Sequence, residues 1–140
     1  MSNRPPPVLS IRQPWAWAII HAGKDVENRK WWTRVRGPVF IHAGVAVDGS
    51  KDDALYYAAE WARNAGIEAP TLGQLQRGGI VGIADIVDCV TRMDSRWFCG
   101  PYGFVLRNAR PLPFLPCKGQ LGFFDAPPEA VAFANSVVAP

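Results

Sequence analysis

The run of residues 80–90, Ile-Val-Gly-Ile-Ala-Asp-Ile-Val-Asp-Cys-Val, most constrains how this chain can fold. Side chains alternate between the two faces of a strand. Here both faces are largely apolar, since Ile80 and Ile86 fall on one face and Val81 and Ile83 on the other. A strand that is apolar on both faces is typical of the interior of a sheet. The sequence therefore predicts a sheet with a buried strand at this position.

The remaining segments predict further short strands and a few helices. Apolar runs between glycines and prolines are too short for helices and indicate strands. Runs of helix formers that end at a glycine indicate helices, and a capping pattern at Ser50–Asp53 precedes one of them. The predicted strands are 8–11, 39–43, 80–90, 103–110 and 122–124, and the predicted helices are 15–22, 54–64 and 71–77. Strands and helices do not alternate regularly along the chain. This order of elements therefore predicts an α+β fold: a small mixed or antiparallel β-barrel decorated by two to four helices.

The length of 140 residues is that of one domain with its own core. We expect residues 1–7 to be a disordered, proline-rich leader, residues 8–126 to be the domain, and residues 127–140 to be a terminal helix or tail. No apolar run approaches the roughly eighteen residues of a membrane-spanning helix. Residues 1–7 also lack the apolar stretch of a signal peptide. We therefore expect a cytoplasmic protein that does not contact a membrane. The sequence leaves open whether it is a monomer or a dimer.

Cysteine and histidine content argues against a metal site. Cys89, Cys99 and Cys117 are odd in number and widely spaced, and only His21 and His42 are present to complete a ligand set. Ligand pairs of structural zinc sites are usually a few residues apart. We therefore expect reduced thiols, no metal and no other cofactor. The net charge of +3 is compatible with a polyanionic partner and does not require one.

Residues 9–43 interleave indoles and charges more tightly than a plain core or a plain surface requires. Indoles stack on bases and cations contact phosphates, so the mixture indicates a nucleotide or nucleic-acid pocket. The alternative is that the indoles fill a small core while the arginines stay solvated. The residues concerned are Trp15, Trp17, Trp31 and Trp32 beside Arg12, Lys24, Glu27, Arg29, Arg34 and Arg36.

Lys24 and Glu27 are the candidate catalytic residues. Desolvation near the apolar helix end would lower the pKa of Lys24, whereas the nearby carboxylate would raise it. Lys24 would then activate a water or hold a phosphate, and Glu27 would transfer a proton or accept a hydrogen bond from the amine of a base. A solvated Lys-Glu pair of little energetic consequence is the alternative.

Further candidates for ligand contact carry hydrogen-bonding groups. The amide of Gln13 can read a base edge, or it can cap the following helix. Arg29 and Arg36 can contact phosphates, although Arg36 can equally pair with a surface carboxylate. His42 can donate to a ligand, or it can be a buried residue whose hydrogen bonds are satisfied within the protein.

The other candidates are Ser10 and three aromatic residues. Trp15 and Trp31 are expected to stack on bases, with core filling as the alternative. Tyr102 is expected to form one wall of the cleft or to pack within a turn. Ser10, which opens the first of the motifs described next, is expected to contact the ligand.

Five motifs carry a resemblance to a known family: 10–17, 23–31, 36–43, 79–85 and 100–106. In order and spacing they closely resemble the motifs of the ASCH domain, a PUA-like β-barrel family, over about residues 8–126. The resemblance implies a barrel of five or six strands. It also implies that a cleft lined by the first helix and the Lys24–Glu27 segment binds RNA or a modified nucleoside.

The resemblance leaves several activities open. The family includes binding modules, an amidohydrolase that deacetylates acetylcytidine, and ribonucleases, and the domain also occurs in transcription coactivators. In the amidohydrolase relatives a threonine follows the lysine by three positions, and a glutamate from a later strand completes the site. Here Glu27 replaces that threonine, and Asp85 and Asp88 are the candidates for the later acid. This departure favours binding of RNA or a modified nucleoside, or else a different substrate. Metal-independent hydrolysis of an acylated cytidine is the alternative, and ribonuclease activity comes third.

Overall fold

A computed structural model describes residues 4–47 and 51–138, with the backbone alone for 51–55 and 135–138. These residues form six strands, three α-helices and one short 3-10 helix. In chain order they are β1 (Val8–Gln13), α1 (Trp15–His21), β2 (Val26–Arg29), β3 (Gly37–Val47), α2 (Lys51–Asn64), the 3-10 helix (Leu72–Gln74), β4 (Gly79–Val90), β5 (Tyr102–Pro116), β6 (Phe123–Phe124) and α3 (Pro128–Val138).

The six strands form one mixed sheet in the order β2-β5-β4-β3-β1-β6. β1 runs parallel to β3, and the other neighbouring strands are antiparallel. The predicted α+β class with a mixed sheet and helices is therefore confirmed. Within residues 4–47 and 51–138, no pairing joins β2 to β6, so the sheet is not closed and the barrel stays a prediction.

Two apolar clusters lie on opposite faces of the sheet. Alternation along β1 sends Leu9 into one cluster and its neighbour Val8 into the other, and along β3 it separates Ile41 from Phe40 in the same way. The first cluster includes Ile19 of α1. The second includes buried alanines of α3. The sheet is thus covered by α1 on one face and by α3 on the other.

β4 confirms the prediction of a buried strand, because Ile80, Ile83 and Ile86 are at most 1 % exposed. The predicted faces are wrong: Ile80 and Ile83 lie in the second cluster and Val81 and Ile86 in the first, because the ladder with β5 is irregular between Ile80 and Gly82. Its outer end reaches solvent, where Val87 is 48 % exposed. No helix in the described part of the chain is long and apolar enough to cross a membrane.

Several elements differ from their predicted extent. β5 continues through its prolines to Pro116. Pro113 lies where the ladder with β4 is irregular, between the pairs Ile80–Leu115 and Gly82–Pro111, so its missing N–H is not needed there. The helix predicted over 71–77 is shorter, a 3-10 turn. β2 was not predicted as a strand. The predicted capping residue Ser50 and residues 1–3 of the predicted leader lie outside the described residues.

Candidate functional site

A cavity of about 1280 Å³ opens beside α1 and β2. Cationic side chains dominate its polar lining, with one carboxylate, Glu27, against six cations among the described residues. Aromatic side chains form much of the remaining wall. The cations are Arg12, Lys24, Arg29, Lys30, Arg96 and Lys118, and the aromatic residues are Trp15, Trp31, Tyr57, Trp97 and Phe98.

Glu27 connects two of these cations. One carboxylate oxygen, Oε1, lies 3.6 Å from Lys24 Nζ, and the other, Oε2, accepts a hydrogen bond of 2.9 Å from Arg29 Nε. Lys24 also donates to the carbonyl of Val26, and Arg29 Nη2 donates to the carbonyl of Ser10 at 2.8 Å. Glu27 and Arg29 share one face of β2 because they are two residues apart. The edge strand thereby fixes a buried chain of charges against β1.

Burial lowers the pKa of Lys24 below its ordinary value of 10.5. The carboxylate of Glu27 acts in the opposite direction, but the desolvation of a residue that is 5 % exposed is the larger effect. Neither acid considered from the sequence contacts Lys24. Asp85 accepts a hydrogen bond from Asn108 at 2.9 Å, and Asp88 lies 3.9 Å from Arg36. The carboxylate that pairs with Lys24 is that of Glu27.

Ser10 and His42 face each other across the parallel pair of β1 and β3. Ser10 Oγ lies 2.9 Å from His42 Nδ1, and His42 Nε2 lies 2.8 Å from the carbonyl oxygen of Cys117. His42 is 1 % exposed, and both of its ring nitrogens have partners within the protein. Ser10 is half-buried, and both residues line the cavity.

Two aromatic groups flank the charged chain. Trp15 contacts Tyr57 and Trp97 edge to face, with ring centroids 6.4 Å apart in each case. Trp31 packs against Phe104 at 5.2 Å, yet 37 % of it remains exposed. Lys24 Nζ lies 6.0 Å from the ring centre of Trp15, and Arg29 lies at the same distance from Trp31. Each indole therefore packs against other aromatic rings and lies near a cation.

Three predicted site residues lie outside this cavity. Gln13 is 1 % exposed; its Oε1 accepts from the backbone N–H of Trp17 at 2.9 Å, and its Nε2 donates to the carbonyl of Gln76 at 2.8 Å. Its side chain thus caps α1, the alternative left open by the sequence. Arg36 lies on the surface near Asp88, and Tyr102 pairs with Arg29 at the start of β5. The structure brings together Ser10, Trp15, Lys24, Glu27, Arg29, Trp31 and His42.

Two segments of the cavity wall were not predicted. The loop 96–99 is held by Asn28, whose Oδ1 accepts from the N–H groups of Cys99 and Gly100 at 2.9 and 3.0 Å. Asn28 Nδ2 in turn donates to the carbonyl of Trp97. The second segment, 117–122, passes over His42. The dipeptide Arg96-Trp97 repeats the cation–indole pattern of residues 9–43, and it was the available signal for the loop.

Comparison with known proteins establishes the family. The model of the ASCH domain matches residues 9–116. The chain belongs to the ASCH domain family. Family membership as predicted is therefore confirmed, and the family is one of PUA-like, RNA-binding folds.

The relatives are much longer proteins. The chain is 27 % identical to activating signal cointegrator 1 of Homo sapiens over 121 residues, which cover 80 % of this chain and 21 % of the relative. It is 31 % identical to activating signal cointegrator 1 of Mus musculus over 85 residues, or 60 % of this chain and 14 % of the relative. The chain thus spans about a fifth of these relatives or less.

Proposed function

We propose that this ASCH domain binds RNA or a modified nucleoside in the cavity beside α1 and β2. The observation that carries the proposal is the lining itself, in which six cations face one carboxylate between aromatic walls. Cations neutralise phosphates, and indole faces stack on bases of any sequence. Both contacts are available within one continuous surface.

The distribution of charge supports this proposal. The cavity holds an excess of five positive charges, six cations against one carboxylate, whereas the whole chain has a net charge of +3. Acidic side chains therefore outnumber basic ones elsewhere. A cleft lined by one sign of charge concentrates ligands of the opposite sign. A phosphate-bearing ligand is thus directed to the cavity rather than to the surface as a whole.

The size of the cavity favours a nucleotide chain over a lone nucleoside. Clefts for drug-sized ligands enclose about 300–1,000 Å³, and this cavity of about 1280 Å³ is larger. Trp15 and Trp31 lie on either side of the Lys24–Arg29 segment. One base could stack at each indole while the linking phosphates contact the exposed Lys30 and Lys118.

Titration of a short single-stranded RNA, followed by tryptophan fluorescence, tests the proposal. The logarithm of the binding constant should fall linearly with the logarithm of the salt concentration. Replacing Lys30 or Lys118 by alanine should weaken binding and reduce the slope by about 0.7 for each phosphate that the variant no longer neutralises. Arg107→Ala is the matched control, because Arg107 is an exposed cation outside the cavity. Equal effects of all three variants, or no binding at all, would contradict the proposal.

One observation favours a second candidate function, hydrolysis of an acylated cytidine. Lys24 is a buried amine with a lowered pKa, and its Nζ lies 3.6 Å from Glu27. A neutral Lys24 can take a proton from water as the water oxygen attacks the acyl carbon. Breakage of the amide C–N bond, with transfer of that proton to the departing nitrogen, releases the carboxylic acid and cytidine.

Chromatography of acetylcytidine incubated with the protein distinguishes the two functions. Hydrolysis predicts released cytidine, a rate that rises with pH as Lys24 loses its proton, and no turnover by Lys24→Ala. Lys30→Ala is the control, since Lys30 is an exposed lysine of the same cavity. Absence of turnover in the wild type would exclude this substrate and leave binding as the function. Cleavage of the RNA during the titration would instead indicate a ribonuclease.

A further inference from the structure

The hydrogen bond between Ser10 and His42 has a defined direction. The carbonyl oxygen of Cys117 can only accept, so His42 Nε2, 2.8 Å away, carries a hydrogen. In a neutral imidazole the other nitrogen, Nδ1, is then an acceptor. The hydroxyl of Ser10, 2.9 Å from Nδ1, must therefore donate its only hydrogen to His42. What remains of the Ser10 hydroxyl is a pair of acceptor sites.

Two glycines lie next to this oxygen, where a larger residue would crowd it. A Cβ atom at Gly119 would lie 3.1 Å from Ser10 Oγ and 2.9 Å from His42 Cε1, and one at Gly44 would lie 3.4 Å from Ser10 Oγ. Within residues 4–47 and 51–138, the Ser10 hydroxyl has no hydrogen-bond partner other than His42. The main chain of Ser10 is fixed as well, because Arg29 donates to its carbonyl. The oxygen is therefore positioned and oriented, and it belongs to a half-buried residue of the cavity lining.

We infer that Ser10 is a specificity residue that accepts a hydrogen bond from an N–H or O–H group of the bound nucleotide. This inference rests on the proposed binding of RNA or a modified nucleoside in this cavity. Two groups of a cytidine nucleotide within a strand have the required chemistry: the exocyclic amine of the base and the ribose 2′-hydroxyl. Uracil presents a carbonyl oxygen where cytosine presents its amine, so it would place an acceptor against an acceptor.

Binding of three homopolymeric oligonucleotides tests the inference and identifies the donor. The probes are oligo(rC), oligo(rU) and oligo(dC), titrated at about pH 8, well above the ordinary pKa of imidazole. Preference for oligo(rC) over oligo(rU) would identify the base amine, and preference for oligo(rC) over oligo(dC) would identify the 2′-hydroxyl. One neutral hydrogen bond corresponds to a preference between about twofold and tenfold. Ser10→Ala should abolish that preference while stacking and phosphate contacts persist.

Two further variants keep the test decisive. Thr71→Ala removes a hydroxyl outside the cavity and should leave every preference unchanged. Ser10→Cys keeps the shape of the side chain with a weak acceptor, and it should reduce the preference if Ser10→Ala fails to fold. If the wild type binds the probes and the Ser10 variants keep the same preferences, this inference is overturned and the proposed function is not. Absence of wild-type binding to all three probes would overturn the proposed function as well.

Discussion

At the scale of one residue, the burial of Lys24 in the candidate site makes the stability of the folded protein depend on pH. Because burial lowers its pKa below 10.5, the unfolded chain binds more protons than the folded chain between the folded-state pKa and 10.5. The free energy of unfolding therefore rises with pH through this window, by up to about 1.4 kcal/mol per pH unit. This gain in the free energy of unfolding is complete above pH 10.5 and is lost as the pH falls through the folded-state pKa of Lys24. Lys24→Met should remove this dependence.

Denaturant unfolding followed by tryptophan fluorescence measures the effect. The stability of the wild type relative to Lys24→Met should increase from neutral pH toward 10.5. Lys30→Met is the matched control, because Lys30 is an exposed lysine of the same segment. A difference between wild type and Lys24→Met that stays constant, or falls, with rising pH would show that Lys24 is not desolvated in the folded protein.

At the scale of elements, the contact between α1 and β4 depends on Gly82. A Cβ atom there would lie 2.4 Å from Ile20 Cδ1 of α1 and 2.6 Å from the carbonyl oxygen of Arg110. The carbonyl belongs to the neighbouring strand, so the methyl group can be accommodated only if α1 or the ladder shifts. Overpacking of this kind costs about 1–3 kcal/mol. Thermal unfolding should show Gly82→Ala to be destabilised by that amount.

A second glycine provides the control for Gly82. A Cβ atom at Gly73, in the 3-10 helix, would meet nothing within 4 Å. Gly73→Ala should leave stability unchanged or raise it slightly, because alanine restricts the unfolded chain more than glycine does. Equal stabilities of the two alanine variants would mean that α1 does not pack closely on β4.

The elements also show what the sequence could and could not predict. β3 and β4 contain long apolar runs because both strands are buried. Such runs allow a strand to be predicted from the sequence pattern alone. β2 is a short edge strand whose Glu27 and Arg29 are charged, and it is a strand only because β5 pairs with it. Residues 96–99 reach the site through hydrogen bonds to Asn28, about seventy residues away in sequence. Such long-range contacts leave no local periodicity to detect.

At the scale of the whole molecule, the question is where the domain ends. The family model ends at residue 116, whereas Ala130 and Ala134 of α3 are 0 % and 1 % exposed against the second core cluster, which includes Phe40 and Ile83. The lining residues of the cavity all precede α3. α3 should therefore contribute to stability and leave ligand binding intact.

Two aspartate variants of α3 test this separation. Ala130→Asp places an unpaired carboxylate in the second core cluster, and it should cost several kcal/mol, on the order of 3. Ala132 is exposed on the same helix, so Ala132→Asp introduces the same charge at little cost. Below its lowered melting temperature, Ala130→Asp should still bind RNA with wild-type affinity if the proposed function holds. Equal melting temperatures of the two variants would show that α3 does not cover the sheet in solution and that the fold ends before it.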